Sequence, residues 1–269
     1  MSKIDQCFQR LRAEGKKAFI PFVTAGDPDL AMTEALIREL AARGASMCEV
    51  GIPYSDPIAD GPVIQASYTR SLSAGTKLRD IFDMLARVSC EVDVPLLTMV
   101  SYSIVLRYGL QRYVDEAVAA GVAGLIVPDL PVDESNELAA LCRKADLSLV
   151  QLVTPTTPPE RAIRIAKAST GFLYYVSVAG ITGERRELPA DLLDNVRWLG
   201  QQASVPICIG FGIGTTDHVR HLSPVADGLI VGSAIVRRVG ESATGGEGAG
   251  EATVREIGEY VAELLAAFV

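Results

Sequence analysis

Eight short apolar runs, each followed by a stretch with helical spacing, recur along this chain and leave few folds open to it. The runs cover residues 18–23, 46–50, 94–100, 124–127, 147–153, 172–178, 205–209 and 228–231. They are apolar throughout instead of alternating, as strands of a parallel sheet are when both faces are covered. Helical stretches follow over 30–43, 63–72, 77–88, 110–120, 133–145, 160–168, 191–199 and 216–222, with a short helix from 234 and a terminal one over 251–268. Ahead of the first run, Ile4, Phe8 and Leu11 stand at helix spacing and Gly15 can end that helix. Eight strand–helix units in 269 residues predict a closed (β/α)8 TIM barrel, a single domain over 1–269 with an N-terminal helix and extra short helices. The rival, an open doubly wound sheet, usually carries a three-glycine nucleotide turn near its first strand. Here that turn is Thr24-Ala25-Gly26-Asp27, and the glycines crowd late in the chain. Residues 240–250, rich in Gly, Ala, Ser and Glu, read as a flexible surface loop.

Composition removes several function classes. A formal charge of −8, no basic tail and 6% aromatic residues argue against a nucleic-acid partner. No run reaches membrane-spanning length and no apolar signal core opens the chain, which predicts a soluble, cytoplasmic protein. The five cysteines, Cys7, Cys48, Cys90, Cys142 and Cys208, are odd in number and widely spaced, and read as reduced core residues. The two histidines, His218 and His221, lie on or beside the helix after the seventh strand and read as surface residues. No ligand spacing points to a metal, and no cofactor is expected.

In a barrel the strand ends and the loops after them share one face, which holds the active site. That order places Glu49, Asp60, Thr182, Gly183, Gly212 and Ser233 around one mouth. Glu49 and Asp60 form an acidic pair, one at a strand end and one in the proline- and glycine-rich loop after it. One can transfer protons while the other holds a substrate N–H or O–H, and burial in an apolar mouth would raise the pKa of the first. A polar turn that is merely acidic would leave the same letters. Phe22, Leu97, Leu125, Val127 and Leu149 are candidate apolar walls, though plain core positions are the simpler reading for most of them. Gly210-Phe211-Gly212-Ile213-Gly214 after strand seven and Gly232-Ser233-Ala234 after strand eight let backbone N–H groups approach a phosphate, helped by a helix N-terminus. Tight strand-to-helix turns would use the same glycines. Residues 179–186, with Gly180 and Gly183 as hinges, read as a lid.

With these residues in hand, the chain resembles the tryptophan synthase alpha chain family. Pro21-Phe22-Val23-Thr24-Ala25-Gly26-Asp27-Pro28 is similar to that family's opening motif. Glu49-Val50-Gly51-Ile52-Pro53-Tyr54-Ser55-Asp56-Pro57-Ile58-Ala59-Asp60-Gly61-Pro62-Val63-Ile64-Gln65 is similar to its signature. Gly180-Ile181-Thr182-Gly183 resembles its mobile loop, and the two late glycine turns resemble its phosphate-binding turns. The resemblance implies a carbon–carbon lyase of tryptophan biosynthesis that cleaves indole-3-glycerol phosphate to indole and glyceraldehyde 3-phosphate, without Schiff base, metal or other cofactor. It assigns acid–base catalysis to Glu49 and the indole N–H to Asp60. Phe22, Ile64 and Leu125 would line the indole pocket, Tyr174 would keep Glu49 placed, and Thr182 would reach toward Asp60. Gly183, Gly212, Gly232 and Ser233 would hold the phosphate. The implied partner is a pyridoxal-phosphate beta subunit in an alpha2-beta2 assembly. Tyr102-Ser103-Ile104 departs from the tyrosine–asparagine–proline often found after strand three, Ser177-Val178-Ala179 stands where some members carry an arginine or threonine before the lid glycine, and the insertion-like 240–250 stretch is also unusual. The alternative is a stand-alone indole-3-glycerol phosphate lyase that releases free indole.

Overall fold

A computed structural model describes residues 1–57, 60–177, 191–242 and 249–268. Its eight strands are β1 (Ala18–Thr24), β2 (Cys48–Gly51), β3 (Leu96–Met99), β4 (Val122–Ile126), β5 (Ser148–Val153), β6 (Leu173–Val176), β7 (Ile207–Gly210) and β8 (Gly228–Val231). They pair in chain order and close on themselves as a parallel barrel, with β1 joined to both β2 and β8. This is the (β/α)8 TIM barrel expected from the repeat.

The helices are α1 (Lys3–Ala13), α2 (Leu30–Ala42), α3 (Pro62–Ser73), α4 (Leu78–Val88), α5 (Tyr102–Tyr108), α6 (Leu110–Ala119), α7 (Asn136–Lys144), α8 (Pro159–Ala168), α9 (Leu192–Gly200), α10 (Thr216–Leu222), α11 (Ser233–Ser242) and α12 (Ala249–Leu265). Helix α5 has no counterpart in the sequence reading. Ser101 caps it by accepting from the Ser103 N–H, and Gly109 turns the chain at φ 93 before α6. Gly240 lies within α11 and Gly250 within α12, so both ends of the expected loop are helical; residues 243–248 lie outside the described residues.

Two apolar layers follow from strand alternation. Phe19, Val23, Cys48, Val50, Leu125, Ile209 and Leu229 pack outward against the helices. Ile20, Phe22, Leu97, Met99, Ile126, Val150, Tyr174, Cys208 and Ile230 fill the interior. Helix α1 belongs to the inner layer: Ile4, Cys7, Phe8 and Leu11 are buried against it, and the Phe8 and Phe172 rings lie 6.0 Å apart. A capping box between Ser2 and Asp5 starts α1, and Ser2 also bonds the Ser148 hydroxyl at 3.0 Å. The N-terminal helix thus stoppers the end of the barrel opposite the strand C-termini. Cys7, Cys48, Cys142 and Cys208 are buried free thiols, whereas Cys90 is exposed.

Helix α3 is docked on β1 and its loop by polar contacts. Thr24 and Ser67 hydroxyls meet at 2.7 Å, Ser71 donates to the Ala25 carbonyl at 2.7 Å, and Arg70 grips Asp27 with two hydrogen bonds of 2.7 and 2.8 Å. Asp27 is buried, and burial outweighs the Arg70 guanidinium, so its pKa stands above the usual carboxylate value. Removing the guanidinium strands that buried carboxyl. Arg70→Met is expected to cost about 3 kcal/mol of unfolding free energy, read by urea denaturation.

Candidate active site

The strand C-termini converge on one slot. It is lined by Phe22, Glu49, Asp60, Ile64, Met99, Tyr174, Phe211, Gly212, Ile213, Ile230, Gly232 and Ser233, and encloses about 470 Å³ with its open mouth included. Of the residues expected at the site, Phe22, Glu49, Asp60, Ile64, Tyr174, Gly212, Gly232 and Ser233 are brought together here. Thr182 and Gly183 lie outside the described residues.

Leu125 is a correction. It is fully buried in the outer layer, between barrel and helices, and does not line the slot. The β3–β4 register shifts between Leu96 and Leu97, so that Leu96 pairs with Val122 and Leu97 with Gly124. Beyond that irregularity the neighbouring Ile126, not Leu125, faces the interior. Val127 and Leu149, also weighed as walls, likewise face outward. Met99, Phe211, Ile213 and Ile230 line the slot and were not foreseen. For Met99 and Ile230 the available signal was strand parity, which a run apolar on both faces hides.

Glu49 is the central group. It pairs in register with Phe22 of β1 and Leu97 of β3, is fully buried and points inward between them. Neither carboxyl oxygen has a hydrogen-bond partner among the described residues. Burial, reinforced by the nearby Asp60 charge, pushes its pKa up to about 8. At neutral pH Glu49 is therefore a mainly protonated acid in a buried wall. Two glycines make room for the rings beside it. A Cβ on Gly51 would collide with the Phe22 ring, and one on Gly210 with the Tyr174 phenol. Burial also pushes the Tyr174 phenol well above its usual pKa, with the Glu49 charge adding to the effect.

Asp60 sits on the loop between β2 and α3 and is half-buried. Burial raises its pKa to about 6, a hydrogen bond from Tyr54 opposes the shift, and the Asp129 charge adds to it. The Tyr54 phenol donates to Oδ2 at 3.4 Å, and its ring packs 5.6 Å from that of Tyr68. The slot thus holds a neutral carboxyl deep in its wall and an ionised one at its rim.

The opposite rim is built by the two glycine turns. Phe211 and Gly212 follow β7 with φ of 74 and 76, a left-handed pair. The Ser177 hydroxyl bonds the Phe211 carbonyl, and the Phe211 ring meets Tyr174 edge-on at 5.8 Å. Gly232 and Ser233 open α11, whose first N–H groups have no intrahelical carbonyl to bond. Such N–H groups, with the helix partial charge, suit an anion. His218 is half-buried, not purely a surface residue, and its Nδ1 accepts from the Gly214 N–H at 3.4 Å.

Fold and site together define a (β/α)8-barrel enzyme with a carboxyl pair in an apolar slot at the strand C-termini. Comparison with known proteins narrows that class. A profile of the tryptophan synthase alpha chain family matches residues 8–264. The tryptophan synthase alpha chain of Rhodopirellula baltica is 52% identical over 262 residues, covering 96% of this chain and 94% of that one. The crystal structure of the alpha chain from Legionella pneumophila superposes with a TM-score of 0.88 at 31% identity, covering 99% of this chain and 97% of that one. A tryptophan synthase a2b2 complex from Pyrococcus furiosus contributes a chain with a TM-score of 0.85 at 37% identity, covering 93% of this chain and 98% of that one. The chain belongs to the tryptophan synthase alpha chain family.

The raised pKa of Glu49 has a thermodynamic consequence. Below about pH 4.5 the carboxyl is protonated in both folded and unfolded chains, and its contribution to stability is fully present. As pH rises from 4.5 to about 8, the unfolded chain releases the proton and the folded one keeps it, so stability is lost across that window. Glu49→Gln escapes this loss. Its stability relative to the parent is expected to rise between pH 4.5 and 8 by roughly 3–5 kcal/mol, read by denaturant unfolding at both ends.

Proposed function

We propose that this chain cleaves indole-3-glycerol phosphate to indole and glyceraldehyde 3-phosphate, as the alpha subunit of a cytoplasmic tryptophan synthase in tryptophan biosynthesis. The observation that carries the reading is the buried Glu49 carboxyl, unpartnered among the described residues, facing a slot shared with Asp60 and the start of α11. A neutral carboxyl at neutral pH suits a group that must first give a proton. In the proposed sequence Glu49 protonates indole C3, which turns the ring into an electron sink. Glu49, now a carboxylate, takes the proton of the adjacent glycerol hydroxyl. The carbon–carbon pair then returns to the ring and the hydroxyl-bearing carbon leaves as the aldehyde. One proton goes in and one comes out, so Glu49 is regenerated. Asp60, ionised at the rim, accepts from the indole N–H and stabilises the positive charge that develops on it. Phe22, Ile64, Tyr174, Met99 and Phe211 would sandwich the ring. N–H groups of Gly212, Gly232 and Ser233 would take the phosphate.

The Pyrococcus furiosus relative is an a2b2 complex, which supports a beta subunit as this chain's partner. A stand-alone lyase keeps the same chemistry. The Tyr102-Ser103-Ile104 departure is the sequence feature that favours it. Indole release measured with and without beta subunit separates the two: a rise in cleavage rate on adding beta subunit identifies the alpha subunit, and no rise identifies the stand-alone enzyme.

Two outcomes test the chemistry. Glu49→Gln and Asp60→Asn are each expected to lower kcat for indole release by about 10²–10⁴-fold, and near-parental release by both sinks the mechanism. The pH profile of kcat/KM is expected to be a bell, with an acid limb near 6 from Asp60 and an alkaline limb near 8 from Glu49, since activity needs the first ionised and the second protonated.

A further inference from the structure

We propose that Gln65 is a positioning residue for this reaction: its side-chain amide holds both flanks of the short loop that carries Asp60, and so fixes where the Asp60 carboxylate stands in the slot. The inference rests on the reading that Asp60 receives the indole N–H. Asp60 belongs to no strand or helix, so the barrel ladder does not position it as it positions Glu49. What holds it is local. Gln65 Nε2 donates to the Asp60 carbonyl at 2.7 Å and to the Pro57 carbonyl at 3.2 Å. The Asp60 N–H donates to the same Pro57 carbonyl at 3.1 Å. One NH2 group has two protons, and both are used on the backbone either side of the loop's tip.

The clamp is itself anchored. Gln65 lies in the first turn of α3, where its own N–H bonds the Gly61 carbonyl at 2.9 Å. Within the next two turns, Ser67, Arg70 and Ser71 tie α3 to β1 and its loop. A continuous path of hydrogen bonds therefore runs from the barrel wall through α3 to Asp60. Among the described residues, the side-chain bond to the carboxylate itself comes from Tyr54 and is 3.4 Å long, too long to replace that path. A glutamate at position 65 would set an anion against two carbonyl oxygens, and a methionine of similar length would donate nothing.

The charge state of Asp60 reports its position. Facing it are Tyr54 from its own loop, Tyr68 from α3, Glu49 from β2, Tyr174 from β6 and Asp129 from the loop after β4. Its raised value comes chiefly from burial, so a carboxylate freed to turn toward water titrates lower.

The experiment measures indole release by the full chain, with beta subunit present, for the parent, Gln65→Met and Gln65→Ala. Both variants are expected to lower kcat/KM about 10- to 100-fold, most of it in kcat, and to move the acid limb of the pH profile down by about one unit. Gln65→Asn, which keeps the donor on a shorter arm, is expected to recover part of the rate. A merely structural role for Gln65 would lower the melting temperature or the active fraction and leave the limb in place. An unmoved limb, or kcat/KM within threefold of the parent in both variants, overturns the inference. A parent chain that releases no indole overturns the reading of the site itself, a result distinct from parental release with an unmoved limb.

Discussion

Closure of the parallel ladder is the constraint on which the rest depends. A closed ring has no free edge, so no strand can slip without breaking pairs on both sides. The β1–β2 and β2–β3 registers, Phe22 to Glu49 to Leu97, are therefore fixed together. Fixed register fixes parity: Cys48 and Val50 go out to the helices, and Glu49 goes in. The interior it enters is apolar from α1 upward, through Phe8, Phe172, Ile20, Leu97 and Cys208. A carboxyl group in that column meets little that stabilises its charge, and the proton it keeps at neutral pH follows from the geometry of the barrel.

The second carboxylate is held by different means, and the difference suits its task. On the proposed reading Glu49 must stay protonated, and burial inside a ring of strands favours that. Asp60 must stay ionised, and a half-buried loop lets water and the Tyr54 phenol reach it. The loop's looseness is offset by the amide of Gln65 and by the polar seam between α3 and β1. That seam is unusual for a barrel exterior, where helix and strand meet through Leu, Ile and Val. Hydroxyls and an arginine–aspartate pair give α3 one directional seat, whereas apolar packing tolerates sliding.

The strand–helix repeat, the barrel and the acidic pair were legible because each rests on spacing: apolar runs of strand length, and carboxylates at a strand end and in the loop after it. The inner and outer faces were not. In a run such as residues 122–127 every position is apolar or small, and nothing in the letters separates the inward Ile126 from the outward Leu125. The irregularity opposite Leu96 and Leu97 decides it, and that is a property of two strands, not of one. Phe211 was missed for a related reason. Its left-handed backbone is rare for a residue with a Cβ, so a glycine-flanked phenylalanine reads as turn filler until Tyr174 and the Ser177 hydroxyl are seen to hold it. The start of helix α5 depends on the Ser101 cap, a hydrogen bond that apolar spacing does not reveal.

Among the described residues Glu49 has no hydrogen-bond partner, and that has a cost a more stable barrel would remove. A hydrogen-bond donor beside either carboxyl oxygen would relieve the desolvation, and would also pull the pKa back down by favouring the charged form. On the proposed reading that relief would remove the acid the first step needs. The same argument explains the stopper at the other end of the barrel. Water entering past α1 would solvate Glu49 from below, with the effect of an added donor. The capping box at Ser2 and the ring contact between Phe8 and Phe172 therefore bear on chemistry at the far end of the molecule. They close the lower end of an apolar column, and burial within that column is what raises the Glu49 pKa.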